Sequence, residues 1–207
     1  MDPLSDFLDN VTKIKIIHKK IEGVLDLSRF KKLKLLDCSN NRITGLINLP
    51  DTLTQLFCSF NQIINLDNLP RYLVKLACRD NKLTSLDNLP DTIKFVNCSY
   101  NIITSLDNLP NSIKKLECAG NKITNLDYLP NSLEYLCCSF NKISSLDNLP
   151  NFLNILFCDR TNITNLDNLP NSLEYLTCIH TQINKDQLRK MYPLVYIDGL
   201  RNENGEI

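Results

Sequence analysis

The sequence predicts a repeat solenoid. It is read as an arc with a parallel β-sheet on the concave face, extended or short-turn segments on the convex face, and a helical cap at each end. Three observations carry this. The wording Leu-x-x-Leu-x-Cys-x-x-Asn-x-Ile-x-x-Leu-Asp-Asn-Leu-Pro-x-x returns every 20 residues through most of the chain. Its positions 1, 4 and 6 are apolar while the residues between them vary, the local alternation of a short strand. No helical pattern of ten residues fits between position 11 and the next strand, so the return path must be extended or tightly turned.

In chain order, residues 1–10 read as an N-terminal helical cap. Asp2 before Pro3 is a cap with proline at the first helical position, and Leu4, Phe7 and Leu8 share one helical face. Nine copies fill 11–184, with position 1 at Val11, Leu33, Leu53, Leu73, Ile93, Ile113, Leu133, Leu153 and Leu173. The first copy is irregular: the step from Val11 to Leu33 is 22 residues, and Lys19 stands where later copies have Asn. Atypical end repeats are expected where one face meets solvent. Residues 185–207 read as a C-terminal cap and tail. Asn184-Lys-Asp-Gln187 resembles a capping box opening a helix through Tyr192, and Pro193 stops it. Leu194 and Ile197 then imitate positions 1 and 4 of a half-copy, and 201–207 form a frayed tail.

This pattern resembles the leucine-rich repeat, Leu-x-x-Leu-x-Leu-x-x-Asn-x-Leu, over 11–184. The Leu-Asp-Asn-Leu-Pro-Asn-Ser-Leu wording, rich in Asn, Ile and Lys, resembles repeat proteins of giant DNA viruses that infect amoebae. The 20-residue length and Leu-x-x-Leu-Pro ending resemble, less closely, the repeats of bacterial type III effectors. The effector resemblance implies a separate ubiquitin-ligase domain with a catalytic Cys, and a long N-terminal extension used in secretion. Neither is expected here, since about ten residues precede the repeats and roughly twenty follow them.

Two columns read as structure. Asn41, Asn61, Asn81, Asn101, Asn121 and Asn141 hold position 9, where an amide with donors and acceptors can satisfy two backbone turns at once. Thr161 and Thr181 replace it, so the last two turns should be held less firmly. Eight of the nine cysteines hold position 6, where the general repeat has Leu; they read as packed thiols, with Cys137 alone facing outward at position 5. An odd count and no Cys-x-x-Cys pairing disfavour disulfides and zinc. Asp67, Asp87, Asp107, Asp127, Asp147 and Asp167 would repel one another as a metal site and read instead as caps accepting amides of their own turn. No metal and no cofactor are expected.

Positions 3, 5 and 8 line the concave face. They carry Phe57, Phe60, Phe95, Tyr100, Tyr135, Phe140, Phe157 and Tyr175, eight of the 8 Phe and 7 Tyr in the chain, with Arg160 beside them. Exposed strand positions have no folding need for so many rings, and rings with arginine dominate protein interfaces. The competing reading is that the position 8 rings fold over the sheet edge and merely pack. Lys13, Lys15, Lys19, Lys20, Arg29, Lys31, Lys32 and Lys34 cluster early, as a patch for an acidic partner or as a solvated edge.

Catalysis is not expected. The two histidines, His18 and His180, sit eight strand spacings apart, roughly 38 Å, so they cannot act together. Lys+Arg and Asp+Glu are both 23, a zero net charge that disfavours nucleic acid. The acidic N-terminus resembles neither a signal nor a transit peptide, and no apolar run reaches the length of a membrane span. The sequence therefore points to a monomeric, non-catalytic interaction scaffold with an unknown protein partner. Its address would be intracellular: cytoplasm, host cytoplasm or a virion. The alternatives are a substrate-recognition subunit of a ubiquitin-type enzyme complex and a virion structural component.

Overall fold

The computed structural model describes residues 3–183 and the backbone of 196–198. In chain order the strands are β1 (Lys13–Lys15), β2 (Glu22–Asp26), β3 (Leu35–Asp37), β4 (Arg42–Ile47), β5 (Gln55–Phe57), β6 (Lys75–Ala77), β7 (Phe95–Asn97), β8 (Lys115–Glu117), β9 (Tyr135–Cys137), β10 (Ile155–Phe157), β11 (Tyr175–Thr177) and β12 (Tyr196–Asp198). All but β2 and β4 form one sheet in chain order, ten strands wide. Every pairing in it is parallel, with position 4 facing position 4 in the first nine strands.

From β3 to β10 each three-residue strand buries its middle side chain and leaves the flanking pair on the open face; in β11 the flanking Thr177 is buried as well. That middle residue, Leu36 through Leu176, is fully buried, as are position 1 from Leu33 through Leu153 and, to within 1%, the position 11 residues from Ile43 through Ile163, while Val11 at the open end is only partly buried. One coil is too thin to shelter these groups, so each is covered by the coils on either side. At the far side of the coil a turn closes on proline. The proline carbonyl accepts from the N–H three residues on, as in Leu53 to Pro50 and Leu133 to Pro130, both 3.0 Å. In the first copy Phe30 takes that place, its carbonyl accepting from Leu33 at 3.1 Å. Hydroxyls one residue before the next coil tie the turns together: Thr52, Thr92, Ser112, Ser132 and Ser172 each donate to the position 1 carbonyl of the coil before.

The convex side is extended without being a sheet, except at the start. There β2 and β4 pair in parallel, with an irregularity at Gly23, whose φ of 78° is in the left-handed region that glycine enters freely.

The N-terminal cap is not helical. Residues 3–10 are turns, with Phe7 N–H donating to Leu4 and Val11 N–H to Leu8. Leu4 is buried but Leu8 is 73% exposed, so the two do not share an inward face. So short a segment cannot repay helix nucleation. Arg29 pins it instead, donating to the Asp9 carboxylate at 2.9 Å and to the Phe7 carbonyl at 3.1 Å. The helix expected after Asn184, Leu194 and the tail lie outside the described residues. Within them, no helix is long and apolar enough to cross a membrane. Strand β12 places Ile197 beside Leu176, the position 4 register.

Candidate binding face

The face is shaped by the turn that follows each strand. Position 8 is left-handed in every copy, at His18, Asn40, Phe60, Asp80, Tyr100, Gly120, Phe140, Arg160 and His180, with φ from 52° to 67°. Such a conformation costs about 1–2 kcal/mol for a residue with a Cβ. Asn and Gly tolerate it, but Phe and Tyr give no sequence sign of it.

The next residue repays that cost. Asn101 illustrates the column. Its side-chain NH2 donates to the carbonyls of Cys98 (2.9 Å), Cys78 one coil back (3.1 Å) and Ser99 (3.3 Å), while Oδ1 accepts from Leu83 N–H at 2.9 Å. Asn61, Asn81, Asn121 and Asn141 repeat these bonds. Asn41 reaches Lys19, Ile21 and Ile16 of the irregular first copy. Thr161 and Thr181 donate one bond each, to the Cys158 and Cys178 carbonyls of their own coil.

The rings fall into two rows. Along the strands, Lys115 Nζ stands 4.1 Å from the Tyr135 ring centre and 5.7 Å from that of Phe95. Tyr135 then meets Phe157 at 5.5 Å, and Phe157 meets Tyr175 at 5.4 Å, both tilted. Burial pushes the Tyr135 phenol up to about 12, with smaller contributions from Cys137, Glu117 and Tyr175. Lys115 is held by Glu117 at 2.8 Å, and Glu117 also accepts from Asn97 at 2.6 Å.

Along the rim at position 8, the Arg79 guanidinium lies 4.5 Å from the Tyr100 ring centre and 5.7 Å from that of Phe60. Arg160 covers Phe140 at 5.4 Å. These rim rings do not fold away: Phe60, Tyr100 and Phe140 are 44%, 41% and 48% exposed. Phe57 stands apart from these contacts among the described residues. One member was missed in the sequence: Arg79, because position 7 was not counted as part of the face. Lys115 was placed on the face at position 3, but its seat between two rings depends on strand register.

Tyr100 rests on Gly120. A Cβ there would lie 2.8 Å from the ring. Gly120→Ala should therefore cost about 1–2 kcal/mol for the left-handed backbone, plus the displacement of the ring. In a Tyr100→Ala background the steric part disappears, and urea unfolding should show a smaller loss. Equal losses in both backgrounds would mean the ring yields freely.

The aspartate column departs from the sequence reading. Asp87, Asp127 and Asp147 accept from the side chains of Asn108, Asn148 and Asn168 in the next coil, at 3.2, 2.9 and 2.9 Å, rather than from amides of their own turn. The turn's own N–H goes to a preceding side chain, as from Asp107 to Ser105 and Asp147 to Ser145. Among the described residues no cluster of three or more His, Cys, Asp or Glu could hold a metal ion. A cleft of about 280 Å³ on the convex side, between 84–87 and 104–109, has Asp87 and Asp107 as its titratable groups.

No family model and no curated protein matches the sequence; the likeness is to solved structures. YopM from Yersinia enterocolitica is 29% identical over 83% of this chain and 45% of its own, with a TM-score of 0.60. The functional domain of InlJ from Listeria monocytogenes is 28% identical over 90% of this chain and 52% of its own, with a TM-score of 0.51; it is described as including a cysteine ladder. The leucine-rich repeat domain of APL1B superposes with a TM-score of 0.71 at 19% identity, over 95% of this chain and 72% of that domain. The chain spans about half the length of the first two. The parallel sheet, one strand per 20-residue copy, and these likenesses make the fold of this chain that of the leucine-rich repeat.

Proposed function

We propose that the chain is a non-catalytic scaffold that grips a protein partner with the ring-bearing face of its sheet. One observation carries this reading: eight rings project on one side of a sheet whose core lies on the other, and three of them stay more than 40% exposed. Contact surfaces are rich in such rings, which supply large, stiff apolar area at low entropic cost. The cations between them add the arginine-and-ring composition of interface centres. The fold neighbours include a leucine-rich effector protein and an internalin, which fits an interaction role without naming a partner. The proposal includes a monomer without nucleic acid, cofactor or membrane, working in the cytoplasm or in a virion of the giant-virus kind that the repeat wording resembles.

The test uses the full chain as bait in a cell lysate. Phe95→Ala combined with Tyr135→Ala should reduce capture of the partner by about tenfold or more. Circular dichroism should stay unchanged, since both side chains lie on the open face. Capture that survives the double substitution in a folded chain would overturn the reading.

A further inference from the structure

The spacing and the charge of the face together restrict what can lie on it. Phe95, Tyr135 and Tyr175 occupy one row of registered strands, with Lys115 and Ile155 between them and Lys75 before. Neighbouring strands lie about 4.8 Å apart, so successive rings in the row stand about 9.6 Å apart. A strand laid along that row presents a side chain about every 6.7 Å and misses the rings. A helix presents equivalent side chains every seven residues, about 10.5 Å, and drifts about 1.8 Å over the two intervals. A polyproline II helix repeats every three residues at 3.1 Å each, about 9.3 Å, and drifts about 0.6 Å.

Charge adds a second restriction. The four carboxylates on this side, Asp37, Asp80, Glu117 and Asp159, are engaged within the protein, Asp80 lying 3.7 Å from Arg79 Nε. Asp37 accepts from Ser39 N–H, Glu117 from Asn97 with Lys115 beside it, and Asp159 from Ile179 N–H and the Thr177 hydroxyl. Among the described residues, Lys13, Lys15 and Lys75 form no ion pair. Arg79 is clamped between Phe60 and Tyr100, and its Nε lies 3.7 Å from the Asp80 carboxylate, an ion pair too long for a hydrogen bond. Six cations, Lys13, Lys15, Lys75, Arg79, Lys115 and Arg160, stand against those four carboxylates, so the face is net positive although the chain as a whole is neutral.

We infer that the face takes an acidic segment of the partner protein in the polyproline II conformation, running along the solenoid axis. Every third residue lies against Phe95, Tyr135 or Tyr175, and carboxylates turn toward Lys75 and Arg79. Such a segment has no internal hydrogen bonds, so its carbonyls are free to accept from the Tyr135 hydroxyl. Stiffness helps as well, because an already extended chain loses little entropy on docking. This inference rests on the docking face proposed above and specifies its occupant.

A random-peptide display library panned on the full chain tests it, with parallel panning on the Phe95→Ala/Tyr135→Ala chain. The wild-type chain should enrich peptides with proline or apolar residues at three-residue spacing and Asp or Glu between them. The double variant, folded by circular dichroism, should not. A synthetic copy of a selected peptide should bind about tenfold more weakly to a Lys75→Gln/Arg79→Gln chain, and more weakly as salt rises from about 50 mM to about 500 mM. Ring-dependent peptides without acidic residues, or with two- or seven-residue spacing, would overturn this inference and leave the docking face standing. Failure to enrich any ring-dependent peptide would overturn both.

Discussion

Raising the pH from about 8 to about 10.5 is expected to unfold the solenoid over a narrow range. Burial raises the thiols of Cys38, Cys58, Cys78, Cys98, Cys118, Cys138 and Cys158 above their usual value of 9.0, with Cys38 and Cys78 pushed up to about 12. In the unfolded chain the same thiols release their protons near 9.0. A group with a raised folded value contributes fully below the unfolded value and loses its contribution as pH climbs between the two. Each thiol then takes away about 1.4 kcal/mol per pH unit. Seven together remove roughly 10 kcal/mol per unit, as much as the whole stability of an ordinary domain. Circular dichroism under reducing conditions should show the transition, and thiolate ultraviolet absorbance should rise with it. Absorbance that rises while the chain stays folded would show that the thiols ionise in place.

Asn121→Ala should be among the most damaging single substitutions. Asn121 accepts from Ile103 N–H at 3.0 Å and donates to the Cys98 and Cys118 carbonyls at 3.1 and 2.9 Å, all in the interior. Alanine leaves these backbone groups without their partner, at about 1–3 kcal/mol for each one orphaned, so a total of about 3 kcal/mol or more is expected in urea unfolding. Asn121→Thr should fall between, because a hydroxyl in this place serves its own coil, as Thr161 does at 2.7 Å. The reverse change, Thr161→Asn, should stabilise by about 1 kcal/mol by restoring the reach to the preceding coil. Asn121→Ala indistinguishable from wild type would mean that water satisfies the turn.

Most of the fold was legible because the signals repeat. Position 4 is Leu, Ile or Val in all nine copies, and a 20-residue step leaves one way to register the strands. The N-terminus was misread because Leu4, Phe7 and Leu8 satisfy helical spacing, and spacing says nothing of the nucleation cost over so few residues. The aspartate column was misread for a related reason: Asx turns are local rules, while the Asn that reaches Asp87 is 21 residues away, a neighbour only after stacking. For the face, sequence supplied the list of outward rings. Which of them touch, and that Arg79 and Lys115 stand between them, depended on the left-handed turns and on register.

From Asn61 to Asn141 the Asn bonds join each coil to its neighbour in the same manner. Such a stack behaves as a one-dimensional crystal, in which the contacts at any interior plane carry no information about how many planes there are. The physics of the interior therefore sets no length. Duplicating a twenty-residue cell extends the reach of the face without posing a new packing problem, so coil number is free to follow the span of whatever must be held.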